Sequence, residues 1–287
     1  MNNQLKTFFL LGVLSALLIS IGWALGPGYV YGFTALAFVM NFSAYFFSDR
    51  IVLKMHGAQE VTPEQAPALH CLVEELARQA RMPKPLICIM PDDQPNALAT
   101  GRNPHHGVVA VTAGILQLLS ERELRGVLVH EIAHIKNRDI LVSSVAAVIA
   151  AAVGYTANAL SFGSLFGGNQ ESEEGDAGAS GFLMVVVGPL LAILIQLGIS
   201  RAREYMADET GARLSGDPEA LARALEKLEH SVAVVPAATA QPATASLFIV
   251  NPLTGESRLM SLFSTHPPMA DRIRRLRSLR PYQRVAV

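Results

Sequence analysis

No Asp, Glu, Lys or Arg occurs between Lys6 and Asp49, and no other feature narrows the folds open to this chain as much. A helix needs about 20 apolar residues, at 1.5 Å each, to cross a hydrocarbon core of ~30 Å. The stretch holds two such helices, and Pro27-Gly28 near its midpoint supplies a turn, so membrane spans are expected over residues 7–25 and 29–47. A second charge-free stretch runs from Ile140 to Gln170, with helix expected to about Phe162; a third runs from Ala177 to Ser200, with helix expected over 182–199. Four spans are expected. The composition, 51% hydrophobic and only 16% charged with a mean hydropathy of +0.32, leans the same way. A cleaved signal peptide is the competing reading of the first stretch. The run is longer than an ordinary apolar core, no small-x-small site closes it, and a second span follows at once. A buried hairpin of a soluble core is the competing reading of the last two, favoured by Pro189 and the glycines around it.

Charge placement sets an expected topology. Every Lys and Arg lies at position 6, within 50–138, or within 201–284. The loop 163–181 holds Glu171, Glu173, Glu174 and Asp176 and no basic residue. The positive-inside rule then puts the two polar segments and both termini in the cytoplasm. The expected layout is a membrane hairpin over 1–47, a first polar part over 48–139, a second hairpin over 140–200, and a second polar part over 201–287. The fold class is a mainly α membrane protein whose polar segments together build one α+β domain. A net charge of −1 argues against a nucleic-acid partner. Arg272, Arg274, Arg275, Arg277 and Arg280 read as the basic face of an amphipathic helix beside anionic lipid. Cys71 and Cys88 sit in no metal-ligand spacing, and a disulfide between them is not expected in a reducing cytosol.

Within the first polar part, a helical pattern runs from Pro63 to Arg81, short buried strands are expected over 86–90 and 107–112, and residues 96–101 between them form a candidate strand edge. Ser120 followed by Glu123 has the form of a capping box. Leu124, Val127, Leu128 and Ile132 give the helix it opens an apolar face. That helix carries His130-Glu131-Ile132-Ala133-His134. Two histidines four apart point the same way and can share one metal ion, with the glutamate beside the first as base toward an attacking water. With no Gly or Pro between Val127 and Ile140, the helix is expected to continue unbroken from Glu121 to about Phe162, which sets the metal roughly 10 Å from the membrane surface.

Zinc at a hydrolytic site takes three protein ligands and keeps one position open. Glu204 and Asp208, also four apart, offer a third ligand and a support for a histidine N–H. Taken alone they read more readily as a solvated acidic face with Arg201 as an i, i+3 partner; beside the histidine pair the functional reading prevails. A third histidine after x-x-Gly-x-x is excluded, because Asn137 and Ile140 stand there. His266-Pro267-Pro268 opens a last helix, and His266 with Arg272 could donate to an oxyanion; a capping histidine and a surface arginine account for them equally well. The Ala/Pro/Thr-rich stretch 232–245 is expected to be a mobile loop.

HEIAH at 130–134, REYMAD at 203–208 and FSTHPPMADRIRRL at 263–276, placed between paired spans, resemble the HtpX membrane metalloproteases, which share a gluzincin catalytic domain with the CAAX prenyl proteases. The resemblance covers nearly the whole chain, including NALATG at 96–101. It implies one zinc ion on His130, His134 and Glu204, Glu131 as general base, Asp208 as a support, and His266 and Arg272 near the scissile carbonyl. It implies that Asn96 and Ala97 pair with the substrate backbone. The implied role is quality control of damaged or misfolded proteins of the bacterial inner membrane, with protein substrates and the bilayer as partners. Two other readings compete. A dedicated processing protease of the CAAX kind has more spans than the four expected here. A non-catalytic scaffold or transporter normally shows ionisable residues inside its spans, and these spans have none.

Overall fold

The computed structural model describes residues 3–152, 201–232, 234–239, 241–253 and 267–279. It is mostly helical, with one small sheet. Helices α1 (Asn3–Leu25) and α2 (Pro27–Met55) pack along each other. Gly26 turns the chain between them at a φ of 124°, a conformation that suits glycine, and Pro27 starts α2 with its φ already helical. Trp23, Tyr31 and Phe38 are 76%, 84% and 72% exposed. A helix pair that turns large aromatics outward in this way belongs in lipid rather than in a soluble core. Asn41 Nδ2 ties the pair together through the Leu11 carbonyl and Ser15 Oγ. The second helix runs eight residues past the expected end at 47, carrying Asp49, Arg50 and Lys54 in its last turns. The expected third span is described only over α6 (Ile140–Ala152), an apolar helix. The fourth span, the acidic loop 163–181, His266 and Arg280 lie outside the described residues.

Strands β1 (Gln59–Glu60), β2 (Leu86–Met90), β3 (Ala97–Gly101) and β4 (Gly107–Thr112) form a sheet in the order β1-β2-β4-β3, so β3 is an edge. β2 and β4 run parallel, with Ile87 opposite Val109; β3 and β4 form an antiparallel hairpin, with Ala99 opposite Val109. The strands read as continuous apolar runs because both faces are covered. Ile87, Ala97, Ala99, Val109 and Val111 pack against α3 (Pro67–Ala80) and α5 (Glu121–Lys136). The alternate residues Cys88, Met90, Leu98, Val108 and Ala110 pack against Val52 of α2, Ala147 of α6 and the Leu247-Phe248 segment. The sheet thus joins the membrane helices to the polar body.

Helix α5 runs through the centre. Its capping box is present, with the Ser120 N–H donating to Glu123 Oε2 at 2.9 Å and Lys227 Nζ adding a contact of 2.7 Å to the same oxygen. Helices α7 (Arg201–Ser215), α8 (Pro218–Val232) and α9 (Met269–Ser278) close over it. Gly126 makes the α5–α8 crossing possible, since a Cβ there would stand 2.6 Å from the Leu221 nitrogen.

Three expectations are corrected. The helix carrying the histidines does not continue into the next apolar segment: α5 ends at Lys136, Arg138 takes a left-handed φ of 58°, and α6 starts afresh at Ile140. Asp139 supplies the physical reason, because its carbonyl accepts from the Ser143 N–H as at a helix start while its carboxylate turns back toward His134. The stretch 232–245 is not a loose loop. Asp92 Oδ2 accepts from the N–H groups of Ala238 and Thr239, Gln94 Nε2 donates to the Val235 carbonyl, and His56 Nε2 lies 3.0 Å from Thr244 Oγ1. Nor do the arginines of α9 form one lipid-facing stripe. Arg272 is fully buried, Arg275 stacks over Tyr205 at 3.8 Å, and Arg277 bonds Glu219 and Glu226. The carboxylates of α8 and the Tyr205 ring of α7 draw them inward.

Candidate metal centre

His130 and His134 project from one face of α5, and Glu204 reaches them from α7. Small residues allow that approach: Ala207 is fully buried, and Gly211 packs against the His130 backbone. One ligand atom from each of His130, His134 and Glu204 lies within 4.8 Å of the others. The two Nε2 atoms face each other at 3.1 Å, and each stands 3.6 Å from a Glu204 oxygen.

The outer nitrogens of both rings are held by carboxylates. His130 Nδ1 lies 2.9 Å from Asp208 Oδ1, and His134 Nδ1 lies 3.1 Å from Asp139 Oδ2. Asp139 accepts from His134 Nδ1–H, whereas the approach of His130 Nδ1 to Asp208 lacks hydrogen-bond alignment; both rings turn Nε2 inward. Two ring nitrogens 3.1 Å apart hold a cation between them, either a proton or a metal ion. Two imidazole nitrogens and one carboxylate, with a small cleft of about 30 Å³ beside them, suit a divalent ion of the zinc type that keeps an open position. A cleft that size admits an ion or a water rather than a side chain.

The charges around the centre follow from burial and contact. Burial opposes protonation of His134, yet Asp139 and Glu204 overcome it and push its pKa up to about 10. Burial likewise opposes a charge on His130, and the contacts from Asp208 and Glu204 raise it. Burial would also raise the Asp208 carboxyl, but Arg272 and His130 bring it down to about 2. Glu131, only 2% exposed, is raised by burial above the usual carboxylate range. No described residue hydrogen-bonds its carboxylate, which lines the cleft.

Among the described residues Arg272 is the largest fully buried side chain. Its Nε and Nη2 bond both oxygens of Asp208 at 2.9 and 2.8 Å, and its Nη1 donates to the Ile249 carbonyl at 3.1 Å. Asn96 sits at the start of β3, where its Nδ2 donates to the Val250 carbonyl at 2.7 Å and its Oδ1 accepts from the Val250 N–H at 3.3 Å. The Ala97 carbonyl accepts from the Ile249 N–H at 3.0 Å, and Leu98 pairs antiparallel with Phe248. The structure therefore brings His130, Glu131, His134, Glu204, Asp208 and Arg272 together. Asn96 and Ala97 lie on the adjoining edge.

Sequence reading missed Asp139. An Asn-x-Asp just ahead of an apolar run is a helix-start signal, and weighing it would have found the residue. Glu204→Ala and Asp139→Asn are expected to separate a ligand from a support. The first should abolish tight metal retention. The second should weaken it about 10–100-fold, because the ring loses its orientation but keeps its nitrogen. Metal content after dialysis against chelators of graded strength measures both. Equal retention by E204A and wild type would place the third ligand elsewhere.

A fold that seats a histidine pair, a third carboxylate and a buried glutamate around one cleft, beneath two lipid-facing helices, defines a membrane metallopeptidase. Residues 63–280 match Peptidase family M48. The chain is 51% identical over 284 residues to a Protease HtpX homolog of Syntrophobacter fumaroxidans, covering 97% of this chain and 100% of that protein. It is 53% identical over 280 residues to a Protease HtpX homolog of Persephonella marina, covering 96% of both. Another from Pyrococcus furiosus is 49% identical over 276 residues, covering 96% of this chain and 95% of that protein. The crystal structure of S. mikatae Ste24p shares the fold, with a TM-score of 0.50 at 17% identity over 92% of this chain; the chain spans 62% of that protein's length. The chain belongs to the HtpX proteases of peptidase family M48, and it is a metalloendopeptidase that acts on protein substrates.

Proposed function

We propose that the chain is a zinc endopeptidase of the bacterial inner membrane that cuts damaged or misfolded membrane proteins. The observation that carries the metal assignment is the 3.1 Å approach of two histidine Nε2 atoms whose Nδ1 atoms are each met by a carboxylate. His130, His134 and Glu204 would hold zinc, which supplies a Lewis acid that polarises the scissile carbonyl and acidifies water. Glu131 takes the proton of the attacking water; burial, which raises its pKa, makes it a stronger base. Asp208 and Asp139 hold the two rings in register, and Arg272 neutralises Asp208. His266, with Arg272, is kept as a candidate donor to the oxyanion.

The edge of β3 suits a substrate held by its main chain. The Asn96 carbonyl accepts from the Thr112 N–H, so by alternation Leu98 and Thr100 bond β4 while Ala97 and Ala99 turn their N–H and C=O outward. The outward groups of Ala97 are taken up by Ile249, and Ala99, next along, lines the metal cleft. The pairing of Leu98 with Phe248 covers this edge, so an extended substrate would pair at Ala99 in place of Leu247 and Phe248, held by its main chain without demanding particular side chains, as recognition of loosely folded proteins requires. Asn96 and Ala97 then set the register by fixing the neighbouring segment. Four spans, a two-part domain over 48–139 and 201–287, and cytoplasmic placement of both parts and the termini belong to the same proposal.

The test is cleavage in reconstituted vesicles. An unmodified, destabilised membrane protein should be cut, a chelator should stop the cutting, and added zinc should restore it. Cleavage confined to a prenylated substrate would favour the CAAX-like reading. No cleavage by zinc-loaded protein would favour a scaffold.

A further inference from the structure

Away from the metal, a cavity of about 570 Å³ opens where the start of α1, the C-terminal half of α2, the β3–β4 turn and the α5–α6 break meet. Its lining carries Arg102 and Arg138 and no carboxylate. Neither guanidinium has an acidic partner among the described residues, whereas Arg122, Arg125, Arg213, Arg223, Arg272 and Arg277 each do. The remaining polar wall is made of amide and hydroxyl groups. Asn137 Nδ2 is buried with no acceptor, and Asn103 and Tyr45 add an amide and a hydroxyl. Buried donors without acceptors are costly, and an oxygen-rich anion satisfies several at once.

The positions of the two arginines are constrained. The Arg102 guanidinium lies 5.4 Å from the Phe46 ring centroid, so an aromatic face holds it. Arg138 adopts a φ of 58°, a conformation an arginine rarely takes, and Asn3 Nδ2 fastens its carbonyl at 3.3 Å. The cavity also has an apolar side, formed by Phe8 and Leu141, that continues onto outward-facing residues of the spans: Phe8 is 63% exposed and Phe42 47%. A charged group with apolar chains attached matches that gradient; a free ion matches only its inner end.

We propose that this cavity binds the phosphate group of an anionic phospholipid, with Arg102 and Arg138 as its cationic clamp and the acyl chains lying along α1 and α2. Guanidinium is the side chain whose paired N–H groups fit phosphate oxygens. Free phosphate shares the headgroup chemistry but not the apolar part. The proposal is independent of the peptidase reading, because it is tested by binding alone.

The experiment titrates the full chain in neutral detergent with short-chain phosphatidylglycerol, short-chain phosphatidylcholine and inorganic phosphate, following affinity by calorimetry and thermal stability in parallel. Phosphatidylglycerol should bind and raise the melting temperature, with phosphatidylcholine at least about tenfold weaker. Replacing both residues, R102Q with R138Q, should weaken phosphatidylglycerol by about 25-fold, at about fivefold for each charge removed near a membrane surface. Lys84→Gln, which removes a charge far from the cavity, should change nothing. If the glutamine pair folds poorly, R102Q and R138Q alone should each still weaken phosphatidylglycerol by about fivefold. Inorganic phosphate binding as tightly as phosphatidylglycerol would overturn the lipid assignment in favour of a soluble anion. Equal binding of the two lipids, or undiminished binding by the glutamine pair, would overturn the site itself.

Discussion

Glu131→Gln should yield a folded, metal-loaded protein that hydrolyses peptide bonds about 10²–10⁴-fold more slowly than wild type. The amide nearly matches the carboxylate in shape and removes a buried acid raised by its surroundings, so the fold has no reason to suffer. What it loses is the capacity to accept a proton in the cleft shared with His130 and His134. Peptide hydrolysis, zinc content and melting temperature measured on one preparation separate these effects. Wild-type hydrolysis by a homogeneous E131Q sample would remove Glu131 from the reaction.

Arg272→Ala is expected to be the most destabilising single change in the polar body. The guanidinium is fully buried and bonds both Asp208 oxygens. Truncating it leaves a buried carboxylate without its counter-charge, at a cost of about 3–5 kcal/mol. Asp208, left without its brace, holds the His130 ring less firmly, so metal retention should fall with stability. The pH dependence gives a separate signature. Asp208 is depressed to about 2 in the folded protein, so its contribution is present above its unfolded value and lost as pH falls through 2. In R272A that depression shrinks, and the acid sensitivity attributable to Asp208 should move to higher pH. Lysine should rescue poorly, since it lacks the planar fork. If R272A keeps the melting temperature and zinc of wild type and loses only kcat, Arg272 acts on the oxyanion and not as a brace.

What could be read without a structure followed from local rules. The first two spans were legible because a charge-free run of that length has few other homes, and α5 because Ser120 and Glu123 mark its start. Spacing alone placed His130 with His134 and Glu204 with Asp208 on helix faces, though only packing could bring the two faces together. The misses are non-local. Nothing near Arg272 says that its partner is Asp208, since the carboxylate arrives from another helix. The hydrogen bonds that seat Ile249 and Val250 along β3 join residues far apart in the chain, as do those that pin 234–245 to Asp92, Gln94 and His56. The break at 137–139 has a different cause: no Gly or Pro marks it, yet Asp139 ends one turn and begins the next.

Peptide hydrolysis is expected to depend on one zinc ion held by His130, His134 and Glu204. The most direct measurement is elemental analysis of the purified full chain, wild type beside His134→Ala, with peptide hydrolysis recorded on the same samples. One zinc per wild-type chain is expected, with zinc and hydrolysis lost together in H134A. Undiminished zinc in H134A, or full hydrolysis by wild-type protein stripped of metal, would contradict it.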